Sequence, residues 1–155
     1  MKKIIFSLAA MLALSCSFIS CGNDDDNDIT FSTTPEKAAA GTYSGNWTIS
    51  SDTETVGEGE GTITIAPTST PYNADITIEG SFSTTSLNVN ATSIANISHA
   101  NNGFVFNNNN DKNPLGTSFT GKIDESGVIG VNFVKEVRVG RKQYKYYYTF
   151  LGKKN

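Results

Sequence analysis

Gly41-Thr42-Tyr43-Ser44-Gly45-Asn46-Trp47-Thr48-Ile49-Ser50 alternates with a period of two. Tyr43, Gly45, Trp47 and Ile49 share one face, and Ser44, Asn46, Thr48 and Ser50 share the other. Such alternation describes a strand with one buried and one wet face, because successive side chains point to opposite sides of a sheet. The pattern recurs downstream. Ile63 and Ile65 alternate with threonines, Ile76 and Ile78 with Asp75, Thr77 and Glu79, and Leu87, Val89 and Ala91 with Asn88 and Asn90. Ile129, Val131 and Phe133 alternate with Gly130 and Asn132, and Tyr144, Tyr146, Tyr148 and Phe150 with Lys145, Tyr147 and Thr149. Turn-forming stretches separate these runs: residues 57–61, 67–71, 101–103, 107–114, 125–127 and Gly140-Arg141. Residues 57–61, Gly-Glu-Gly-Glu-Gly, read as a turn or bulge. About eight to ten short strands follow, the rhythm of a sandwich or an up-and-down barrel.

Upstream of this region the chain reads differently. Met1-Lys2-Lys3 is a basic head, and Ile4 to Leu14 is apolar apart from Ser7. That run is shorter than the roughly 20 residues needed to span a bilayer, so it predicts a secretory signal peptide over residues 1–20. Phe18-Ile19-Ser20-Cys21 resembles the lipobox of bacterial lipoproteins, in which the cysteine is acylated and becomes the first mature residue. Cys16 is a second, weaker candidate, and an ordinary secreted chain with incidental cysteines is the plainer alternative. Gly22-Asn23-Asp24-Asp25-Asp26-Asn27-Asp28 is a hydrophilic spacer within a tether of residues 21–40, and it resembles the export signal of surface lipoproteins of Bacteroidota. Acyl chains contribute roughly 0.8 kcal/mol per buried methylene, enough for stable anchoring when two or more are present. The expected location is the outer membrane, lipid-anchored at the cell surface, with the periplasmic face as the alternative. Within the tether, Pro35 to Ala40 suits one helical turn as a short plug, since proline is accommodated at the first helical position.

Charge is unevenly placed. Residues 21–121 carry two lysines against 12 acids, and residues 122–155 carry eight cations against three acids. Two readings of this asymmetry stand: pairing of opposite charges between neighbouring strands, or a basic patch for acidic glycans.

The opening with its Gly45-Asn46-Trp47, the Thr-rich strands and the closing Tyr148-Thr149-Phe150-Leu151-Gly152-Lys153 resemble the lipocalin-like (calycin-like) domain of Bacteroidota lipoproteins over about residues 40–153. The resemblance implies an all-β fold, a small antiparallel up-and-down barrel of about eight strands spanning residues 41–155. It also implies that Trp47 packs at the closed end beneath an arginine from the last strands, Arg138 or Arg141, in a cation–π contact.

Chemistry-bearing motifs are sparse. Both cysteines lie in the first 21 residues and His99 is the only histidine, so neither a cysteine nor a histidine metal cluster is expected in the domain. No Gly-x-Ser-x-Gly occurs, and nothing nominates a nucleophile for His99. Glu58 and Glu60 stand two apart, as a glycosidase pair would on one strand, yet read more simply as solvent-facing acids. The expectation is therefore a non-catalytic protein with no cofactor and no nucleic-acid partner. Its partners would be the membrane, through Cys21, and a small apolar ligand or glycan. Tyr43, Trp47, Phe133, Tyr144, Tyr146 and Tyr148 are the candidate binding residues, because tyrosine and tryptophan pair an apolar ring with a polar edge. A ligand-binding barrel would carry a cavity lined by these and by Phe82, Phe104, Phe106 and Phe119. A filled barrel acting as an interaction or accessory protein would instead expose an apolar or basic patch.

Overall fold

A computed structural model describes residues 34–52, 54–108, 114, 116–139 and 141–155. The signal segment, Cys16, Cys21, the acidic run and residues 109–113 lie outside the described residues.

The chain forms a helical turn, α1 (Pro35–Ala39), and then eight strands: β1 (Gly41–Ser50), β2 (Thr55–Pro67), β3 (Asn73–Phe82), β4 (Val89–Ala100), β5 (Gly103–Asn108), β6 (Thr117–Asp124), β7 (Val128–Val139) and β8 (Lys142–Lys154). Each strand pairs antiparallel with the next, and β8 returns to β1 from Tyr43↔Lys154 to Ser50↔Tyr147, closing the barrel. Closure removes the free edges that an open sheet would present along most of its height.

Alternation assigns the two surfaces. Tyr43, Trp47, Ile49, Ile63, Ile65, Ile76, Ile78, Phe106, Phe119, Ile123, Ile129, Val131, Phe133, Tyr148 and Phe150 point inward and are buried. The outer face carries cross-strand polar pairs, among them Thr77–Thr92 at 2.8 Å between hydroxyls and Thr149 donating to Asn132 at 3.0 Å. At the β6–β7 turn, Asp124 Oδ1 accepts from the backbone N–H groups of Ser126 (2.9 Å) and Val128 (3.0 Å) and from the Ser126 hydroxyl. The Ser126 hydroxyl is the main cause holding that carboxyl below the usual aspartate range.

The strand directions separate two ends. Where the chain enters, α1, both ends of the folded chain and the β2–β3, β4–β5 and β6–β7 turns come together. There α1 packs against β2 and β4, and the buried Tyr43 hydroxyl donates to Ala39 O at 2.7 Å. The packed unit therefore starts ahead of Gly41, within the stretch read as tether. Glu36, only 3 % exposed, accepts from the Thr34 hydroxyl through Oε1, while Oε2 has no hydrogen-bond partner among the described residues. That hydroxyl is the leading influence holding the Glu36 carboxyl below its usual range, against the opposing effect of burial. The opposite end carries the β1–β2, β3–β4, β5–β6 and β7–β8 connections, including a 3-10 turn at Thr85–Leu87.

Two local expectations are corrected. Residues 57–61 are not a turn but part of β2. Gly57, Gly59 and Gly61 take the inward positions while Glu58 and Glu60 face solvent; Gly57 and Gly59 make room for the Phe82 ring, and Gly61, with Gly80 of β3, for the Trp47 indole. A Cβ on Gly61 would lie 2.5 Å from Trp47 Nε1, and one on Gly80 would lie 3.1 Å from it. Leu87 is not a strand residue either. It sits in the 3-10 turn ahead of β4, where its carbonyl accepts from the Tyr148 hydroxyl at 3.3 Å.

Candidate functional site

The middle of the barrel is filled. Trp47, Ile63, Ile76, Ile78, Ile97, Ile129, Val131 and Phe150 are 0 % exposed, so no space large enough for a water molecule touches them. Trp47 meets Phe150 (centroids 4.8 Å), Phe133 (5.7 Å) and Tyr148 (6.5 Å), and its Nε1–H donates to Glu79 O at 3.2 Å. Interlocked rings thus occupy the volume that a deep ligand cavity would need. The arginine implied for Trp47 is absent from it. Arg138 is exposed on the outward side of β7 and Arg141 is exposed at the β7–β8 turn, so neither covers the indole.

Of the six candidate binding residues, the fold brings Trp47, Phe133 and Tyr148 into one cluster, with Tyr146 half-buried above them and Tyr144 at the rim, 42 % exposed. Tyr43 stands apart at the chain-entry end, with Lys154 Nζ 5.9 Å from its ring centroid. Burial holds its phenol above the usual range.

The chemistry gathers where β7 and β8 leave the barrel. Cross-strand register pairs Phe133 with Tyr148, Lys135 with Tyr146 and Val137 with Tyr144, all on the inward side of the hairpin. Phe133 and Tyr148 stack with centroids 4.8 Å apart and planes 8° apart. Lys135 lies over them, its Nζ 5.7 Å from the Tyr148 centroid and 6.0 Å from that of Phe133. Among the described residues no carboxylate comes within ion-pair distance of Lys135, so the rings are its electrostatic partners. Partial burial lowers the lysine's pKa from its ordinary value, and burial raises that of Tyr148, with Tyr146 adding to the effect.

Reading the sequence singled out the rings but passed over Lys135. The signal was present, since two-residue spacing carries Ile129, Val131 and Phe133 on to Lys135 and Val137. A half-buried ammonium above an aromatic pair offers an anion a cationic contact and a planar apolar group a surface beside it.

Among the described residues no three His, Cys, Asp or Glu side chains cluster as a metal site would require. His99 sits on β4 with its ring 5.4 Å from that of Phe104. Glu58 and Glu60 point outward on β2. No protein-family model, curated protein or solved structure matches the chain.

Proposed function

We propose that this chain is a lipid-anchored, extracytoplasmic binding protein. Its lipocalin-like barrel is non-catalytic and holds a small apolar ligand, or a glycan, shallowly against Phe133, Tyr148 and Tyr146 with Lys135 beside it. The observation that carries this reading is Lys135, which keeps a charge half out of water without a carboxylate to balance it.

The probes that test it are the fluorescent dye 8-anilinonaphthalene-1-sulfonate and its neutral counterpart N-phenyl-1-naphthylamine, which share their rings and differ by the sulfonate. The sulfonated dye is expected to bind more tightly. Lys135→Met is expected to weaken it about tenfold, the scale of one charge-assisted contact, while leaving the neutral dye unchanged and raising stability by roughly 0.5 kcal/mol. Equal affinities for the two dyes, or a Lys135→Met protein that binds the sulfonate as before, would count against the seat.

Anchoring rests on the lipobox resemblance at Phe18 to Cys21. Cys21→Ala is expected to move the protein from the membrane fraction to the soluble one, and undiminished membrane retention refutes the lipid at that position.

A second reading draws on the filled interior. An interaction module with no small ligand needs no cavity, and the 0 % exposure of Trp47 and its neighbours suits it. Failure of both dyes to bind favours that reading.

A further inference from the structure

Among the described residues, the β7–β8 hairpin runs past the strands on either side of it. On one side, β7 pairs with β6 no further than Thr117↔Val134. On the other, β8 pairs with β1 no further than Ser50↔Tyr147. Residues 135–139 and 142–146 therefore pair only with each other among the described residues. They form a two-stranded ribbon of about 17 Å, at about 3.4 Å per residue, that runs past the described parts of the strands on either side.

The ribbon and its turn carry Lys135, Arg138, Arg141, Lys142 and Lys145 against Glu136 alone, a net charge of +4. Glu136 is already engaged, by Lys145 at 3.5 Å and by the Gln143 amide. Arg138, Arg141 and Lys142 have no carboxylate partner among the described residues. The expected pairing of these cations with acids on neighbouring strands is thus confined to one contact. The reason is reach: residues 135–139 and 142–146 run past the paired parts of β6 and β1, so among the described residues no acid-bearing strand lies beside them. The inward side of the ribbon sets Tyr144 (42 % exposed) opposite Val137 (37 % exposed), with Lys142 and Lys135 on either side.

We infer that this ribbon is a docking surface for an acidic polysaccharide, with Tyr144 stacked on a sugar ring and Lys142, on the same face, and Arg141, at the turn, contacting its carboxylates or sulfates. Charges on a strand edge also discourage edge-to-edge pairing, but that role accepts either sign and asks for no aromatic side chain. A bilayer fits less well, because an inserted hairpin needs bulky apolar residues at its apex and this one carries Arg141 and Lys142 there. The site adjoins the Lys135 seat but is contacted through other side chains, Tyr144, Arg141 and Lys142.

The test uses a heparin hexasaccharide as probe, titrated by calorimetry against the soluble domain at moderate salt. Wild type is expected to bind. Arg141→Glu/Lys142→Glu is expected to weaken binding more than tenfold, and Tyr144→Ala, which leaves the net charge unchanged, about fivefold. A matched charge reversal elsewhere, Lys37→Glu/Lys122→Glu, should change it less than twofold. Thermal unfolding of every variant checks that the fold survives. Retained binding of the naphthalene sulfonate by the Arg141/Lys142 variant separates this surface from the dye seat. Four results overturn the inference: no heparin binding by wild type, an equal loss in the Lys37/Lys122 variant, no effect of Tyr144→Ala, or tighter ribbon-dependent binding to vesicles containing phosphatidylserine or to oligothymidylate.

Discussion

Gly61→Val is expected to destabilise the domain by about 2–4 kcal/mol and to lower its melting temperature by roughly 10–15 °C. A Cβ at position 61 would sit 2.1 Å from Glu79 O and 2.5 Å from Trp47 Nε1. One obstacle is backbone and the other is a buried indole held by that same carbonyl. Neither is the free end of a flexible side chain, so β2 and β3 must separate or Trp47 must leave its place. Overpacking of this kind costs about 1–3 kcal/mol, and loss of the indole hydrogen bond adds about 1 kcal/mol. Gly130 supplies the control. The nearest atom to its hypothetical Cβ is Phe150 O at 4.0 Å, so Gly130→Val should be neutral or slightly stabilising. Urea denaturation of the pair measures the contrast. A Gly61→Val loss below about 1 kcal/mol would mean that the sheet spacing relaxes freely, contrary to the close packing described.

Phe133→Ala is expected to cost about 3–5 kcal/mol, the range for deleting a buried aromatic ring. Phe133 is the hub of the ring cluster. It contacts Trp47, Tyr148 and Phe119, and it supplies one of the two π faces beneath Lys135. Its removal opens a void next to side chains that now touch no water-sized space, and it leaves Tyr148 without a stacking partner. Binding of the naphthalene dyes should fall with stability, because the floor of the proposed seat disappears. Phe133→Leu, which keeps most of the volume, should cost less than half as much. An alanine variant within about 1 kcal/mol of wild type would show that the surrounding rings collapse to fill the gap.

These two sites also show where sequence reading reached and where it stopped. Period-two alternation in Tyr43 to Ile49, Ile129 to Phe133 and Tyr144 to Phe150 was legible, because inward and outward positions follow strand geometry one strand at a time. Consecutive hairpins were legible from turn residues such as Asn101-Asn102 and Glu125-Ser126-Gly127. The glycines of β2 were misread because their role depends on rings from other strands, the Trp47 indole of β1 over Gly61 and Phe82 of β3 beside Gly57 and Gly59. That relation needs the register of three strands. The partners of the basic residues were hidden for the same reason, since nothing local says that β7 and β8 run on past the strands that flank them. Lys135 differs from these, because simple parity with Phe133 already turned it inward.

Tyr43 of β1 pairs with Lys154 of β8, and the Asn155 N–H donates to Thr42 O at 3.0 Å. The start of β1 and the end of β8 are therefore neighbours at the floor of the barrel, the far side from the β7–β8 ribbon. A biosensor chip, an affinity tag or a fusion partner coupled through the carboxyl terminus would leave the rim facing solution. Circular permutants that join these neighbours need only a short bridge.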